Sequence, residues 1–249
     1  MFSFLKSSER LFELLPDNYV DIHSHLLYGI DDGAQTAEDT LKIIKKLQNN
    51  YRFSEFITTP HVYKTMWDNS KDDILAKEKQ TKKVLEQSGL TMPFKAAAEY
   101  MLDNHLMHLL ATEKLLTLKD NYVLVELSFI DAPMQLFDIV FELKLQGYVP
   151  VLAHPERYMY YHSDIAKYKK LKKQGCLFQL NLLSTTGYYG EHVAKMAATL
   201  LKLGMINFVG SDIHTYKQTE YLGFSPDIKD TAPLKEAAYC NLLFQSTII

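Results

Sequence analysis

Tyr19-Val20-Asp21-Ile22-His23-Ser24-His25 begins as a β-rich apolar run and ends in two imidazoles two residues apart. Side chains alternate along a strand, so His23 and His25 fall on one side. The same passage from apolar strand to metal-binding chemistry recurs down the chain. Residues 53–59 run into Thr59-Pro60-His61, and residues 94–98 run into Glu99. Residues 122–127 contain Glu126. Residues 149–153 lead into Ala153-His154-Pro155, and residues 206–210 into Ser211-Asp212-Ile213-His214. Residues 176–180 are the exception, with only Gln179 and Asn181 on offer.

Helical patterns separate these strands. A Thr36/Asp39 capping box opens a helix over residues 36–49. Residues 71–88 place Ile74, Leu75, Thr81, Val84 and Leu85 near one face and stop at Gly89. Further helices are expected over 104–111, 133–145 (Pro133 near its start), 163–174, 191–203 and 234–244, with Gly147, Gly175 and Gly204 as stops. Seven strand–helix units predict an α/β fold with one parallel sheet, and an open doubly wound sheet and a closed barrel both fit that count. In either, the strand C-termini share one face, where active sites are built.

The chain has 249 residues, 47% of them hydrophobic and 23% charged, which excludes a disordered chain. With 27 basic and 30 acidic residues the formal net charge is −3, whereas a general nucleic-acid binder is usually basic, so no nucleic-acid partner is expected. Two cysteines, Cys176 and Cys240, are too few for a disulfide scaffold and suggest a reducing, cytoplasmic setting. No apolar run approaches the ~18 residues of a membrane span. Residues 1–17 read as a short amphipathic extension. Lys6, Glu9, Arg10 and Glu13 interrupt its apolar residues, so it lacks the form of a signal peptide and is expected to pack on its own barrel. Residues 18–249 read as a single domain.

A structural role would explain His61 or His154 taken alone, and a buried ion pair would explain Glu126 inside Val123-Leu124-Val125-Glu126-Leu127. Their joint occurrence at so many strand ends points to a metal site. Imidazole and carboxylate without thiolate suit Mn, Fe or Zn better than Ca or Cu(I). The set exceeds the four positions of one tetrahedral zinc, so a cluster of two or three ions is implied. Such clusters generate hydroxide near neutral pH and clamp the oxygens of an in-line displacement.

Asp21-Ile22-His23-Ser24-His25, the Asp31-Asp32-Gly33 turn, Thr59-Pro60-His61, Glu99, Val125-Glu126-Leu127, Ala153-His154-Pro155-Glu156-Arg157 and Ser211-Asp212-Ile213-His214 together resemble the PHP (polymerase and histidinol phosphatase) superfamily. More closely they resemble its bacterial capsule- and exopolysaccharide-associated tyrosine-protein phosphatases, in motif order and spacing from Tyr19 onward. The resemblance implies a distorted (β/α)7 barrel with a trinuclear centre. It implies His23, His25, Asp32, His61, Glu99, Glu126, His154, Asp212 and His214 as ligands. His23, His25, Glu99 and Asp212 would surround one ion. Glu99 would bridge to a second held by Glu126 and His154, and Asp32, His61 and His214 would serve the third. Mn is the expected metal, with Fe or Zn as alternatives.

Three divalent ions outweigh the four carboxylates and a bridging hydroxide by about one positive charge, which suits an anionic phosphomonoester. Direct attack of metal-bound hydroxide on phosphorus is the expected chemistry. Neither cysteine lies in a Cys-x5-Arg loop, which excludes the thiol route of other tyrosine phosphatases. Arg157, three residues past His154, suits bidentate phosphate binding; a salt bridge to Glu156 or Asp164 is the plainer alternative. These phosphatases can carry a second arginine after Asp-x-His, but here that stretch reads Thr215-Tyr216-Lys217-Gln218-Thr219, and Lys217 is the candidate substitute.

Tyr63, Lys64 and Trp67 are placed on a loop over the site, and Tyr158, Tyr160, Tyr161, Tyr188 and Tyr189 either line a groove or pack. Lys167, Lys169, Lys170, Lys172 and Lys173 make a basic helix whose simplest reading is a solvated face. The implied substrate is a phosphotyrosyl protein, the tyrosine-rich tail of a bacterial tyrosine kinase controlling polysaccharide export. A small phosphoester such as histidinol phosphate, or phosphotyrosine binding without turnover, are the rival readings. The absence of a basic groove argues against a nuclease.

Overall fold

The computed structural model describes residues 9–246. Nine parallel strands alternate with seven helices: β1 (Tyr19–Asp21), α1 (Ala37–Tyr51), β2 (Phe53–Thr58), β3 (His61–Val62), α2 (Lys71–Gln87), β4 (Phe94–Ala96), β5 (Glu99–Met101), α3 (Asn104–Thr112), β6 (Tyr122–Glu126), α4 (Leu136–Leu145), β7 (Val149–Ala153), α5 (Ile165–Lys173), β8 (Leu177–Asn181), α6 (Glu191–Lys202), β9 (Phe208–Gly210) and α7 (Ala232–Cys240). They form two sheets, ordered β1-β2-β4 and β3-β5-β6-β7-β8-β9.

Two expected strands, 53–59 and 94–98, are each followed after a two-residue break by a further short strand that the sequence pattern does not predict, which turns seven into nine. The second breaks at Thr59-Pro60 because proline has no N–H for a ladder; Thr59 turns its own N–H to Ser24 O instead. The third breaks at Ala97-Ala98. Pairing carries on across both breaks, because Ala97 N–H donates to Thr58 O and Glu99 N–H to Pro60 O. The two sheets therefore make one bent, distorted barrel. His61 and Glu99 open β3 and β5 directly after the breaks and pair with each other in register.

Between β9 and β1 the structure shows no ladder, only a single parallel bridge from Ser24 to Ile213. Two backbone bonds, from Asp212 N–H to His23 O and from His25 N–H to Ile213 O, hold this seam together with side chains. The Asp21 carboxylate accepts from the N–H and hydroxyl of Ser211, and the Asn241 amide donates to Val20 O and Val209 O.

Strand alternation sorts the core. Val123, Val125 and Leu152 pack outward with Ile139, Val140 and Leu143 of α4. Val20, Ile57, Leu124, Val151 and Phe208 fill the barrel interior, with Phe244 among them. Glu126 shares the inward parity of Leu124, so the interior turns from apolar to ionic along one strand.

Most local signals act as expected, although α4 begins at Leu136 and not near Pro133. Thr36 caps α1 by the reciprocal bonds with Asp39, and Ser70 caps α2 in the same way with Asp73. Helices α2, α4, α5 and α6 stop just ahead of Gly89, Gly147, Gly175 and Gly204. The amphipathic extension lies partly outside the described residues. Within them it is a single 3-10 turn, Leu11–Leu14, rather than a longer helix. Leu11, Leu14 and Leu15 are buried in the main core, and Leu11 N–H donates to Phe224 O.

Candidate metal centre

All nine residues expected as ligands converge at the C-terminal mouth of the barrel. Their donor atoms form four overlapping groups: His25, Asp32, His61 and His214; His23, His154 and Asp212; His23, His25 and Glu99; and His61, Glu99 and Glu126. The grouping differs from the expected division. Glu126 sits with His61 rather than His154, its Oε1 2.8 Å from His61 Nδ1. His154 sits with His23 and Asp212, and His25 reaches the Asp32 group. Sequence spacing does not encode these choices, because they join residues from distant strands.

Glu99 is the hub. Its Oε2 lies 3.2 Å from His23 Nε2, 3.6 Å from His25 Nε2 and 3.2 Å from His61 Nδ1, and its Oε1 lies 3.0 Å from His154 Nε2. Asp212 Oδ1 is 3.3 Å from the Nε2 atoms of both His23 and His25. Asp32 Oδ1 is 3.4 Å from Nε2 of His61 and of His214.

A ring of acceptors fixes the imidazoles. Gln179 Oε1 accepts from His23 Nδ1 at 2.6 Å, and its amide is oriented because Nε2 donates to Leu180 O. Asp31 Oδ2 takes His25 Nδ1 at 2.8 Å, and the Asp212 carbonyl takes His214 Nδ1 at 2.9 Å. These three rings therefore turn Nε2 toward the cluster, an arrangement that tunes metal-binding histidines, whereas His61 faces Glu99 and Glu126 through Nδ1. Gly33 and Gly210 allow the close packing this needs. A Cβ on Gly33 would sit 2.2 Å from His25 O, and one on Gly210 would sit 2.6 Å from His23 Cβ.

The backbone is strained at the same place. His154 and Asp212 have φ of 35° and 50°, a region that costs non-glycine residues about 1–3 kcal/mol. Such strain persists where surrounding structure enforces it, and here it folds two candidate ligands back over the barrel mouth.

The donor set fits divalent cations on two observations. Glu99 Oε2 and His154 Nδ1 are buried without a hydrogen-bond partner. The carboxylates also favour positive charge at the imidazoles. Burial opposes protonation of His25, yet Asp31 and Asp212 raise its pKa to about 10. Burial, together with the nearby charge of Glu99, pushes Glu126 up to about 7. Burial also raises Glu99, but His23 and His61 outweigh it and hold Glu99 well below the usual carboxylate range. The carboxylates thus draw protons onto the imidazoles at positions a metal ion would otherwise compensate. His154 is the contrast, since burial lowers it to about 4 and leaves a neutral ring.

The cluster floors a cavity of about 330 Å³ lined also by Tyr63, Met66, Trp67, Met101, Ser128, Phe129, Ile130 and Arg157. The Trp67 ring stacks on His61 at 4.5 Å and Phe129 stacks on His154 at 5.5 Å. The Arg157 guanidinium is held between the rings of Phe129 and Tyr189, 4.6 and 4.1 Å away, with Nη1 donating to Asp212 Oδ2 at 2.7 Å. Its carboxylate partner is thus Asp212 and not Glu156 or Asp164. Lys217 is exposed and does not line the cavity.

Of the loop residues, Tyr63 and Trp67 do line it, while Lys64 pairs with Asp68. The five other tyrosines are absent from its lining. Tyr158 is fully buried and bonds Leu127 N–H and Ala153 O, and Tyr160 bonds Ser128 O. Strand β8, the apparent exception, supplies support rather than ligands: Gln179 to His23, and Asn181 Nδ2 to Asp212 Oδ2 at 2.8 Å. Their two-residue spacing on one strand face was the available signal. Sequence reasoning missed Phe129 and Ile130, which carry no metal-binding chemistry to mark them.

A parallel barrel with imidazoles and carboxylates gathered at its strand C-termini defines the class as a metallohydrolase-type (β/α) barrel. The family follows from comparison. A family model described as capsular polysaccharide synthesis, CpsB/CapC, matches residues 19–239, and the chain belongs to that family. The tyrosine-protein phosphatase YwqE of Bacillus subtilis is 27% identical over 203 residues, covering 81% of this chain and 80% of its own. The tyrosine-protein phosphatase CpsB of Streptococcus pneumoniae is 27% identical over 205 residues, covering 78% and 82%. Crystal structures of YwqE and CpsB, presented as unique metal-dependent tyrosine phosphatases, include a chain that matches with a TM-score of 0.75 and 26% identity, over 90% of this chain and 86% of that one.

Proposed function

We propose that this protein is a metal-dependent protein-tyrosine phosphatase. One observation carries the reading: a carboxylate–imidazole cluster lies beside Arg157 at the floor of a pocket walled by Trp67 and Phe129. An aromatic phosphate ester needs a cationic floor and apolar walls. Family membership and the names of the relatives support the same chemistry.

Three divalent ions, Mn in the first instance and Fe or Zn as alternatives, would be held by His23, His25, Asp32, His61, Glu99, Glu126, His154, Asp212 and His214. When bound they would supply positive charge to the phosphoryl oxygens and acidify a water for attack on phosphorus. Arg157 grips the phosphate through its planar donor fork, and the rings of Phe129 and Tyr189 with the Asp212 carboxylate fix its direction. Asn181 shares Asp212 Oδ2 and so keeps that carboxylate from following the arginine. The tyrosine ring lies between the Trp67 and Phe129 sides, which exclude water. Its phenolate has a pKa of about 10 and leaves without a dedicated acid. Neither Cys176, which is buried, nor Cys240 lines the pocket, so no thiol nucleophile is at hand.

The expected substrate is a phosphotyrosyl protein, a bacterial tyrosine kinase of capsular or exopolysaccharide synthesis, met in the cytoplasm. Among the described residues no helix is long and apolar enough to cross a membrane. The test is phosphate release from a phosphotyrosyl peptide by metal-stripped protein, with Mn, Fe(II) or Zn restored in turn, beside His25→Ala and Asp212→Ala. Release should require metal and vanish in both variants while circular dichroism keeps its shape. Metal-independent release, or histidinol phosphate turned over faster than the peptide, would sink the reading.

A further inference from the structure

The catalytic pocket does not end at its rim. A second, more open groove of about 660 Å³ continues from it, and Tyr63, Met101 and Ser128 line both. The groove runs between the Tyr63–Trp67 turn and residues 128–134, which follow β6. Met66, Phe129 and Ile130 (90% exposed) are exposed apolar side chains lining the catalytic cavity, and Met134 (96% exposed) lines the groove beyond it. Isolated exposed apolar residues are ordinary, but a cluster at a pocket mouth marks a binding surface. The charge in the groove has one prevailing sign. Asp103 and Asp131 line it, and its one lysine, Lys64, is paired with Asp68.

We propose that this groove is a specificity subsite that takes the polypeptide flanking the phosphotyrosine and selects an apolar neighbour over an acidic one. The inference rests on the phosphatase reading above and extends it from the ring to the chain that bears it. A tyrosine seated with its phosphate on the metal floor must carry its main chain out over the shared Tyr63, Met101 and Ser128 rim. The continuous groove is the surface it meets there. An aliphatic neighbour covers Met134 in the groove beside Ile130 of the cavity rim, whereas a glutamate meets Asp103 and Asp131. The groove thus sorts phosphotyrosyl segments by the residues beside them, which a pocket for the ring alone does not.

The test compares two phosphotyrosyl peptides that differ only in leucine or glutamate at the positions flanking the tyrosine, with p-nitrophenyl phosphate as a substrate lacking a chain. In the metal-loaded wild-type protein the leucine peptide should be favoured in kcat/KM by about tenfold, the size expected for partial burial of one aliphatic side chain. Met134→Lys, at a side chain with almost no neighbours to disrupt, should reduce or reverse that ratio. Equal kcat/KM for the two peptides, or a ratio unmoved by Met134→Lys and by Ile130→Lys, would overturn the subsite while p-nitrophenyl phosphate turnover kept the phosphatase reading intact. Failure to hydrolyse p-nitrophenyl phosphate as well would overturn the phosphatase reading and the subsite with it.

Discussion

Replacing Tyr158 by phenylalanine removes one oxygen from a fully buried position beside the metal centre. That oxygen accepts from Leu127 N–H at 2.9 Å and donates to Ala153 O at 3.1 Å. Leu127 directly follows Glu126, and Ala153 directly precedes His154, so the hydroxyl ties together the backbone of two candidate ligands from neighbouring strands. The variant fills the same space, and no cavity term arises. The cost is the stranded Leu127 amide, ~1–3 kcal/mol for an unsatisfied buried donor, plus about 1 kcal/mol for the lost hydroxyl bond. Tyr158→Phe should therefore lower the unfolding free energy by about 2–4 kcal/mol, read from urea denaturation of metal-free protein. Metal affinity, measured by competition with a chromophoric chelator, should fall in parallel, because Glu126 and His154 lose their common brace. A stability change under ~0.5 kcal/mol with unchanged affinity would refute the reasoning, since it would mean that the hydroxyl is not the bond that organises these strand ends.

Two further outcomes follow from the same geometry. Gln179→Leu leaves His23 Nδ1–H without its acceptor, and metal affinity should fall by about 10–100-fold; retained affinity in a chelator titration would show that Gln179 does not orient the ring. Burial pushes the Cys176 thiol up to about 12, whereas Cys240 is exposed. Ellman's reagent at pH 8 should therefore find one fast thiol in the native protein and two after denaturation, and two fast native thiols would contradict the burial. The sign of the linkage follows: the fold holds the Cys176 proton more tightly than the unfolded chain does. Its contribution to stability is complete below the ordinary thiol pKa of about 8.5 and declines as pH rises toward about 12.

The sequence made strand ends and their ligands legible because both depend on local order. A β-rich run that meets His-x-His or Asp-x-His states where the strand stops and what it presents. The break at Pro60 was half visible, since proline marks a stop, but not that pairing resumes at His61. Ala97-Ala98 carries no signal at all, because nothing in two alanines says that a neighbouring strand has bent. The grouping of His61 with Glu126 and of His154 with Asp212 joins distant segments, so no spacing along the chain announces it. Gln179 and Asn181 looked like an exception because amides are poor ligands, and their role as acceptor and donor for His23 and Asp212 appears only when the ring of strands is complete. Arg157 was placed at the site, but its hold by Asp212, Phe129 and Tyr189 joins three distant segments that no spacing rule connects.

The seam between β9 and β1 bears on how the chain is made. Asp21 and Ser211, which clasp across it, are 190 residues apart, and confining so long a loop costs on the order of 5 kcal/mol of chain entropy. Synthesis delivers Tyr19–Asp21 long before the residues that cover its edge, with Asn241 later still. A growing chain therefore carries an unpaired β edge for most of its time on the ribosome, and parallel pairings of this range form slowly once they are possible. Two of the four donor groups need residues beyond 210, His214 in one and Asp212 in the other, so the centre is complete only once the barrel closes.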